Sequence, residues 1–313
     1  MVFKSISKSH GPSLFAAAAA ITAVAGLIGS VRADSFYVSN SGANTISSVS
    51  SSGVISTYVS GLATPWDMTA GANGSPNYVI NAGNNSIESI TAGSASTLVT
   101  FPSGGSTTPQ AIALDGSGNI YTVLLNGIID KVTPSGSYTQ FANLTSATQS
   151  DGLAFNNGNL YVSNYATNNI SEITPGGTVS TFATLPSGSS PSGIAFDGSG
   201  NLYVANFDSN NIDKINASGV VSTFASFGSG TGSSGIGPNF LTFDQAGNLF
   251  VTGYYSNTID QITPGGLVST AVTLPSGDNP AGIIAAVPVP GAEPLFVAGL
   301  LLMGLVLKRR SRA

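Results

Sequence analysis

From residue 34 to residue 286 the chain is a succession of short runs in which apolar and polar residues alternate. Each run is bounded by Gly, Pro, Asn, Asp or Ser. Alternation with period two marks half-buried strands, and helical 3.6-residue periodicity is absent from this stretch. One run recurs six times: SFYVSN (35–40), NYVIN (77–81), NIYTVL (119–124), NLYVSN (159–164), NLYVAN (201–206) and NLFVTG (248–253). The aromatic anchors Tyr37, Tyr78, Tyr121, Tyr161, Tyr203 and Phe250 are 41, 43, 40, 42 and 47 residues apart.

The fullest copy, Pro191 to Ala225, reads PSGIAFDGSGNLYVANFDSNNIDKINASGVVSTFA. It divides into four strands: SGIAF, NLYVAN, NIDKIN and VVSTFA. Asp197-Gly198-Ser199-Gly200 joins the first pair and Ala217-Ser218-Gly219 joins the last, with glycine supplying the positive φ of tight hairpins. Asp115-Gly116-Ser117-Gly118 and Asp244-Gln245-Ala246-Gly247 repeat the first turn. The DGSGN segments lack the length and the late glutamate of a calcium loop and are read as turns. Four antiparallel strands per period of about 42 residues is the pattern of a β-propeller blade.

The proline-led first strand also appears six times, at Pro65, Pro109, Ser150, Pro191, Pro238 and Pro280. The last, PAGIIA (280–285), has no NLYVSN run after it, and SFYVSN has no proline-led strand before it. The two orphans complete one blade. The predicted fold is therefore an all-β, six-bladed propeller over 34–286, closed by strand 280–285 pairing into the first blade. Closure removes open sheet edges.

Composition narrows the partners. Between residues 34 and 286 there are 13 acids and two bases, Lys131 and Lys214, a formal charge of −11. Such a surface repels phosphate backbones and argues against nucleic acid. With no cysteine, disulfides, thiolate metal sites and cysteine nucleophiles are excluded.

The ends read as addresses, each with an expected hydrophobic helix. Residues 1–33 carry Lys4, Lys8, an apolar run from Leu14 to Val31, and Val31-Arg32-Ala33 before Asp34, the layout of a signal peptide cut by signal peptidase. Residues 287–313 hold Val287-Pro288-Val289-Pro290, then Glu293-Pro294, an apolar run from Leu295 to Leu307, and Lys308, Arg309, Arg310 and Arg312. This tail resembles the PEP-CTERM sorting signals of Gram-negative bacteria, although Ala292 stands at the family's first proline. The resemblance implies recognition by an exosortase-type processing enzyme. It also implies a short transmembrane helix that holds the chain in the membrane before processing, and delivery to the cell surface or extracellular matrix.

The repeat, with its Pro-Ser-Gly-Ile, Asp-Gly-Ser-Gly-Asn, Asn-Asn-Ile and Thr-Pro-x-Gly segments, resembles NHL-type and streptogramin-lyase-like propellers. The resemblance covers roughly 34–285 and is specific for the fold. Lyases of that kind use a histidine, and the only histidine here is His10, inside the signal peptide. Six-bladed calcium-dependent lactonases are relatives by architecture.

Within a blade the short turns lie on one face. The longer, variable connections lie on the other, around the channel mouth, where a rigid scaffold presents binding residues. Trp66, Asp67, Gln110, Asp151, Tyr165, Phe207, Asp208, Asn239 and Tyr254 are placed there, with Tyr255 and the strand-end Asn40, Asn81, Asn164 and Asn206 nearby. Aromatics beside Asn and Asp suit sugar rings and hydroxyls. Asp67 and Asp151, read as matching positions of two copies, are the candidate calcium ligands. No catalytic residue and no other cofactor is assigned. Two readings of function stay open: a non-catalytic surface or matrix module for polysaccharide or a surface protein, and a calcium-dependent lactonase- or lyase-like enzyme acting at the channel mouth.

Overall fold

The computed structural model describes residues 36–70, 77–104, 106–144, 149–228 and 234–285. The N-terminal signal, the C-terminal sorting motif and the two hydrophobic helices expected with them lie outside the described residues. Among the described residues no helix is long and apolar enough to cross a membrane.

Among the described residues twenty-four strands, β1 to β24 in chain order, form six four-stranded antiparallel sheets. The first blade is β24 (Pro280–Ala285), β1 (Phe36–Asn40), β2 (Thr45–Val49) and β3 (Ile55–Val59). The second is β4 (Pro65–Thr69), β5 (Asn77–Asn81), β6 (Ser86–Thr91) and β7 (Ser94–Thr100). The third is β8 (Pro109–Leu114), β9 (Ile120–Leu124), β10 (Ile128–Val132) and β11 (Tyr138–Asn143). The fourth is β12 (Ser150–Asn156), β13 (Asn159–Asn164), β14 (Asn169–Ile173) and β15 (Val179–Thr184). The fifth is β16 (Pro191–Phe196), β17 (Leu202–Asn206), β18 (Asn211–Ile215) and β19 (Val221–Ser226). The sixth is β20 (Pro238–Phe243), β21 (Leu249–Gly253), β22 (Thr258–Ile262) and β23 (Val268–Thr273).

The closure expected from the two orphan runs is present. β24 pairs with β1 through Phe36↔Ala285, Tyr37↔Ile284 and Val38↔Ile283. Beyond the strand, Ser41 and Gly42 donate main-chain hydrogen bonds to Asn279 and Asp278.

The apolar core is six clusters, each lying between two neighbouring blades. The cluster between the third and fourth blades holds Ala111, Tyr121, Val123, Leu153 and Leu160. The one that seals the ring, between the sixth and first, holds Phe36, Val38, Phe240, Phe250 and Ile283. The repeating aromatic has a structural reason. Tyr121 stands edge-on to Phe141 of its own blade and Phe155 of the next, each with centroids 4.9 Å apart. Tyr161 and Tyr203 repeat this with Phe182 and Phe196, and with Phe224 and Phe243. Such pairs add about 0.5–1.5 kcal/mol each beyond area burial.

The DGSGN segments are turns, as read. Asp115 accepts main-chain hydrogen bonds from Ser117 and Asn119 at 2.9 and 2.8 Å, and Gly118 takes φ +80°. The two lysines of the body reinforce these turns. Lys131 lies 3.6 Å from Asp115 and over the Tyr121 ring; Lys214 lies 3.9 Å from Asp197 and over Tyr203.

Candidate functional site

The innermost strands β4, β8, β12, β16, β20 and β24 begin on the face of long connections and end on the tight-turn face. Their registers align Pro65, Pro109, Ser150, Pro191, Pro238 and Pro280, each opposite the last residue of its β5-type partner. The second positions are then Trp66, Gln110, Asp151, Ser192, Asn239 and Ala281. The third are Asp67, Ala111, Gly152, Gly193, Phe240 and Gly282.

This alignment corrects the pairing of the two candidate calcium ligands. Asp151 matches Trp66, not Asp67. The carboxylates differ by one strand position, which reverses side-chain direction, and they sit two blades apart. Both Asp67 oxygens accept main-chain hydrogen bonds, from Met68 at 2.8 Å and Ile112 at 2.9 Å. Among the described residues no three His, Cys, Asp or Glu side chains converge as ligands. Asp67 and Asp151 together do not fit a calcium ion, which takes six to eight oxygens.

At three of the third positions, Gly152, Gly193 and Gly282, close approach of main-chain atoms requires glycine. The inner strands meet there, and a Cβ on Gly193 would lie 2.6 Å from the Asn239 carbonyl oxygen. Hydroxyls lace the same level. Ser39, Ser163 and Thr252 donate to the carbonyls of Trp66, Ser192 and Ala281 in the next blade. Between the second and third blades, where Ile80 has no hydroxyl, the Asp67 carboxyl reaching Ile112 takes this role.

The loop face gathers most of the remaining candidates. Tyr165, Phe207, Tyr254 and Trp66 form an arc with successive centroid distances of 6.4, 6.0 and 5.9 Å. Tyr255 joins at 5.3 Å from both Phe207 and Tyr254. Tyr254 and Trp66 belong to the sixth and second blades, so they meet across the first, where the small Ala281 stands. Under the arc, Asp208 accepts from the Tyr165 and Ser190 hydroxyls at 3.1 and 2.6 Å. Burial pushes the Asp151 carboxyl up to about 6. The Tyr165 hydroxyl is raised too, first by burial and then by the nearby charge of Asp208, with a further contribution from Asp151.

Two buried donors in this region have no partner: Trp66 Nε1 and Asn239 Nδ2. The Asn239 oxygen is occupied, accepting from Ser192 Oγ at 2.6 Å. Gln110 turns back on its own strand, donating to the carbonyls of Thr108 and Pro109. The strand-end asparagines are latches to the neighbouring third strand: Asn40 bonds Ser47, Asn81 bonds Glu88, Asn164 bonds Ser171 and Asn206 bonds Asp213.

Sequence reasoning missed the other half of the channel. A cavity of about 360 Å³ is lined by Asp67 and Phe240 and by the later positions of all six inner strands, among them Met68, Ile112, Leu153, Ile194, Leu241 and Ile283. It lies toward the tight-turn face. The sequence signal was available, because each inner strand carries one Leu, Ile or Met at its fourth position.

The fold is shared with solved structures. Virginiamycin B lyase from Staphylococcus aureus aligns with a TM-score of 0.62 at 22% identity, over 81% of this chain and 86% of its own. A catalytically inactive histidine-to-alanine variant of that enzyme with quinupristin aligns at 0.61 and 21%, over 78% and 85%. A gluconolactonase from Xanthomonas campestris aligns at 0.58 and 20%, over 69% and 78%. No curated protein matches the chain. Residues 121–289, more than half of the 313, match the virginiamycin B lyase family, and the chain belongs to that family.

Proposed function

We propose that the chain is an exported propeller that binds a saccharide across the loop-side mouth of its channel, as a binding module. The observation that carries this reading is the aromatic arc from Tyr165 to Trp66, with two buried, unpaired donors at Trp66 and Asn239. Sugar ring faces stack on such aromatics. The signal peptide and sorting tail support delivery to the cell surface or matrix of a Gram-negative bacterium, through signal peptidase and an exosortase. Polysaccharide is abundant there.

Family membership favours a second reading, an enzyme acting at the same mouth. The Staphylococcus aureus relative is inactive when a histidine becomes alanine, and the one histidine here, His10, precedes the propeller. Asp151, titrating at about 6 beside Tyr165, is the group on that face suited to accept or donate a proton.

A glycan array probed with residues 34–286, with and without calcium, tests the first reading. Binding to defined polysaccharides without turnover supports it. Turnover of quinupristin or of a lactone panel, lost on Asp151→Asn, replaces it with the second.

A further inference from the structure

The tight-turn face carries an asymmetry that the repeat does not require. The second hairpin of each blade closes on one exposed residue just before or at the start of the outermost strand. In five blades the same main-chain hydrogen bond fixes that residue, its carbonyl accepting from Ser50, Thr133, Thr174, Asn216 or Thr263. It is Val54 in the first blade, Ser137 in the third, Thr178 in the fourth, Val220 in the fifth and Leu267 in the sixth. The second blade has a shorter turn, closed by Thr91 opposite Ser94. Valine or leucine therefore stands on the fifth, sixth and first blades, which adjoin in the ring, and serine or threonine on the other three. Val54, Val220 and Leu267 are 61%, 60% and 71% exposed. Tyr138 and Val179, one position later on the third and fourth blades, are less exposed, and Tyr138 packs on Phe101. Single apolar side chains scattered over a surface are ordinary. These three share one repeat position and one sector.

The chain enters and leaves the fold in the same sector. β1 begins and β24 ends on the tight-turn face of the first blade, with Phe36 opposite Ala285. Nine residues, Pro288, Pro290 and Pro294 among them, separate Ala285 from the apolar run 295–307 and the basic residues after it. Fully extended, nine residues span about 30 Å. We propose that the tight-turn edge of the fifth, sixth and first blades rests on a lipid bilayer, with Val220, Leu267 and Val54 in the interface and the aromatic mouth facing away. This rests on the reading of the tail as a membrane-held sorting segment. Three side chains hold a free protein on lipid only weakly, but a tethered contact forms at an effective concentration in the millimolar range. The formal charge of −11 between residues 34 and 286 opposes anionic lipid, so the partner is a zwitterionic surface. In this pose Trp66 and the rest of the arc are open to a polysaccharide outside the membrane.

The test is tryptophan fluorescence of the full-length chain reconstituted in phosphatidylcholine vesicles, with and without brominated acyl chains. In the parent, Trp66 is the one tryptophan and should not be quenched. On a Trp66→Phe background, Leu267→Trp and Val54→Trp should lose about half of their emission, because interfacial side chains lie ~5–10 Å into the boundary of headgroups and acyl chains. Ser137→Trp, at the matching position of the opposite blade, should keep its emission. Leu267→Ser combined with Val220→Ser should at least halve the quenching of Val54→Trp. All of these positions are exposed turn residues, where substitution leaves the fold intact. Vesicle flotation separates this proposal from the reading of the tail. A chain that floats while Leu267→Trp and Val54→Trp stay unquenched, or while Ser137→Trp or Trp66 is quenched equally, overturns the docking alone. A chain that does not float overturns the membrane-held tail and the docking with it.

Discussion

Replacing Gly282 by alanine tests how the ring closes. Gly282 lies in β24, the strand that completes the first blade, and faces the inner strand of the second. A Cβ there would stand 2.6 Å from the Trp66 carbonyl oxygen, 2.9 Å from the Met68 nitrogen and 3.0 Å from the Asp67 Cα. All three are main-chain atoms of β4, held by pairing with β5, so no flexible side chain can yield. The strands must separate, and Ser39 is caught between them. Its hydroxyl accepts from Gly282 N at 2.7 Å and donates to the Trp66 carbonyl. Overpacking costs about 1–3 kcal/mol, and a hydrogen bond lost with it about 1 kcal/mol, so the sum is about 2–4 kcal/mol. At about 2–4 °C per kcal/mol for a domain of this size, Tm falls by about 5–15 °C. Differential scanning calorimetry reads it directly. Gly198→Ala, in a turn with nothing within 4 Å of the added carbon, is the control and should stay within about 0.5 kcal/mol. A Gly282→Ala protein melting within a degree of the parent would refute the close approach of β24 and β4.

Three further outcomes follow from the same geometry. Burial lifts Asp67 from its ordinary range to about 8 in the folded state, so its contribution is fully present below about pH 4 and is lost as pH rises to about 8. Asp67→Asn should therefore gain Tm relative to the parent across that window, and a constant difference from pH 4 to 8 would contradict it. Ending the chain at residue 279 deletes β24, exposes the edge of β1 and uncovers the Phe36–Phe250 cluster. Circular dichroism should then show loss of the cooperative transition, whereas an unchanged melt would contradict closure by β24. Calcium at millimolar concentration should leave Tm unchanged, because Asp67 and Asp151 sit two blades apart and both Asp67 oxygens are held by main-chain N–H groups; a rise that saturates would show ligands assembled another way.

Much of the fold is legible in the sequence because the blade is defined by local chemistry. Positive-φ glycines at 118, 200 and 247 close the same hairpin each time, and Tyr121, Tyr161 and Tyr203 each pack between two phenylalanines. PAGIIA and SFYVSN find each other because neither has another partner. The site was less legible. In the fourth copy Ser150 replaces the leading proline, and matching Asp151 to Asp67 by residue type slips the frame by one. In a strand that moves a side chain to the opposite face, and only the pairing register reveals it. The arc was partly visible: Trp66, Phe207 and Tyr254 were all singled out, but their meeting across Ala281 depends on which blades adjoin, a property of the closed ring. The strand-end asparagines looked like ligands because their job, bonding to the next strand, leaves no mark in the linear sequence.

Trp66 is the sole tryptophan of the chain, and its buried Nε1 has no partner, so its fluorescence reports the loop-side mouth alone. Titrating residues 34–286 with a saccharide that binds should change Trp66 emission saturably, with the same Kd that calorimetry gives, and Trp66→Ala should weaken that binding at least tenfold. Saccharide binding that leaves both the emission and the affinity of Trp66→Ala unchanged would contradict a ligand site at this mouth.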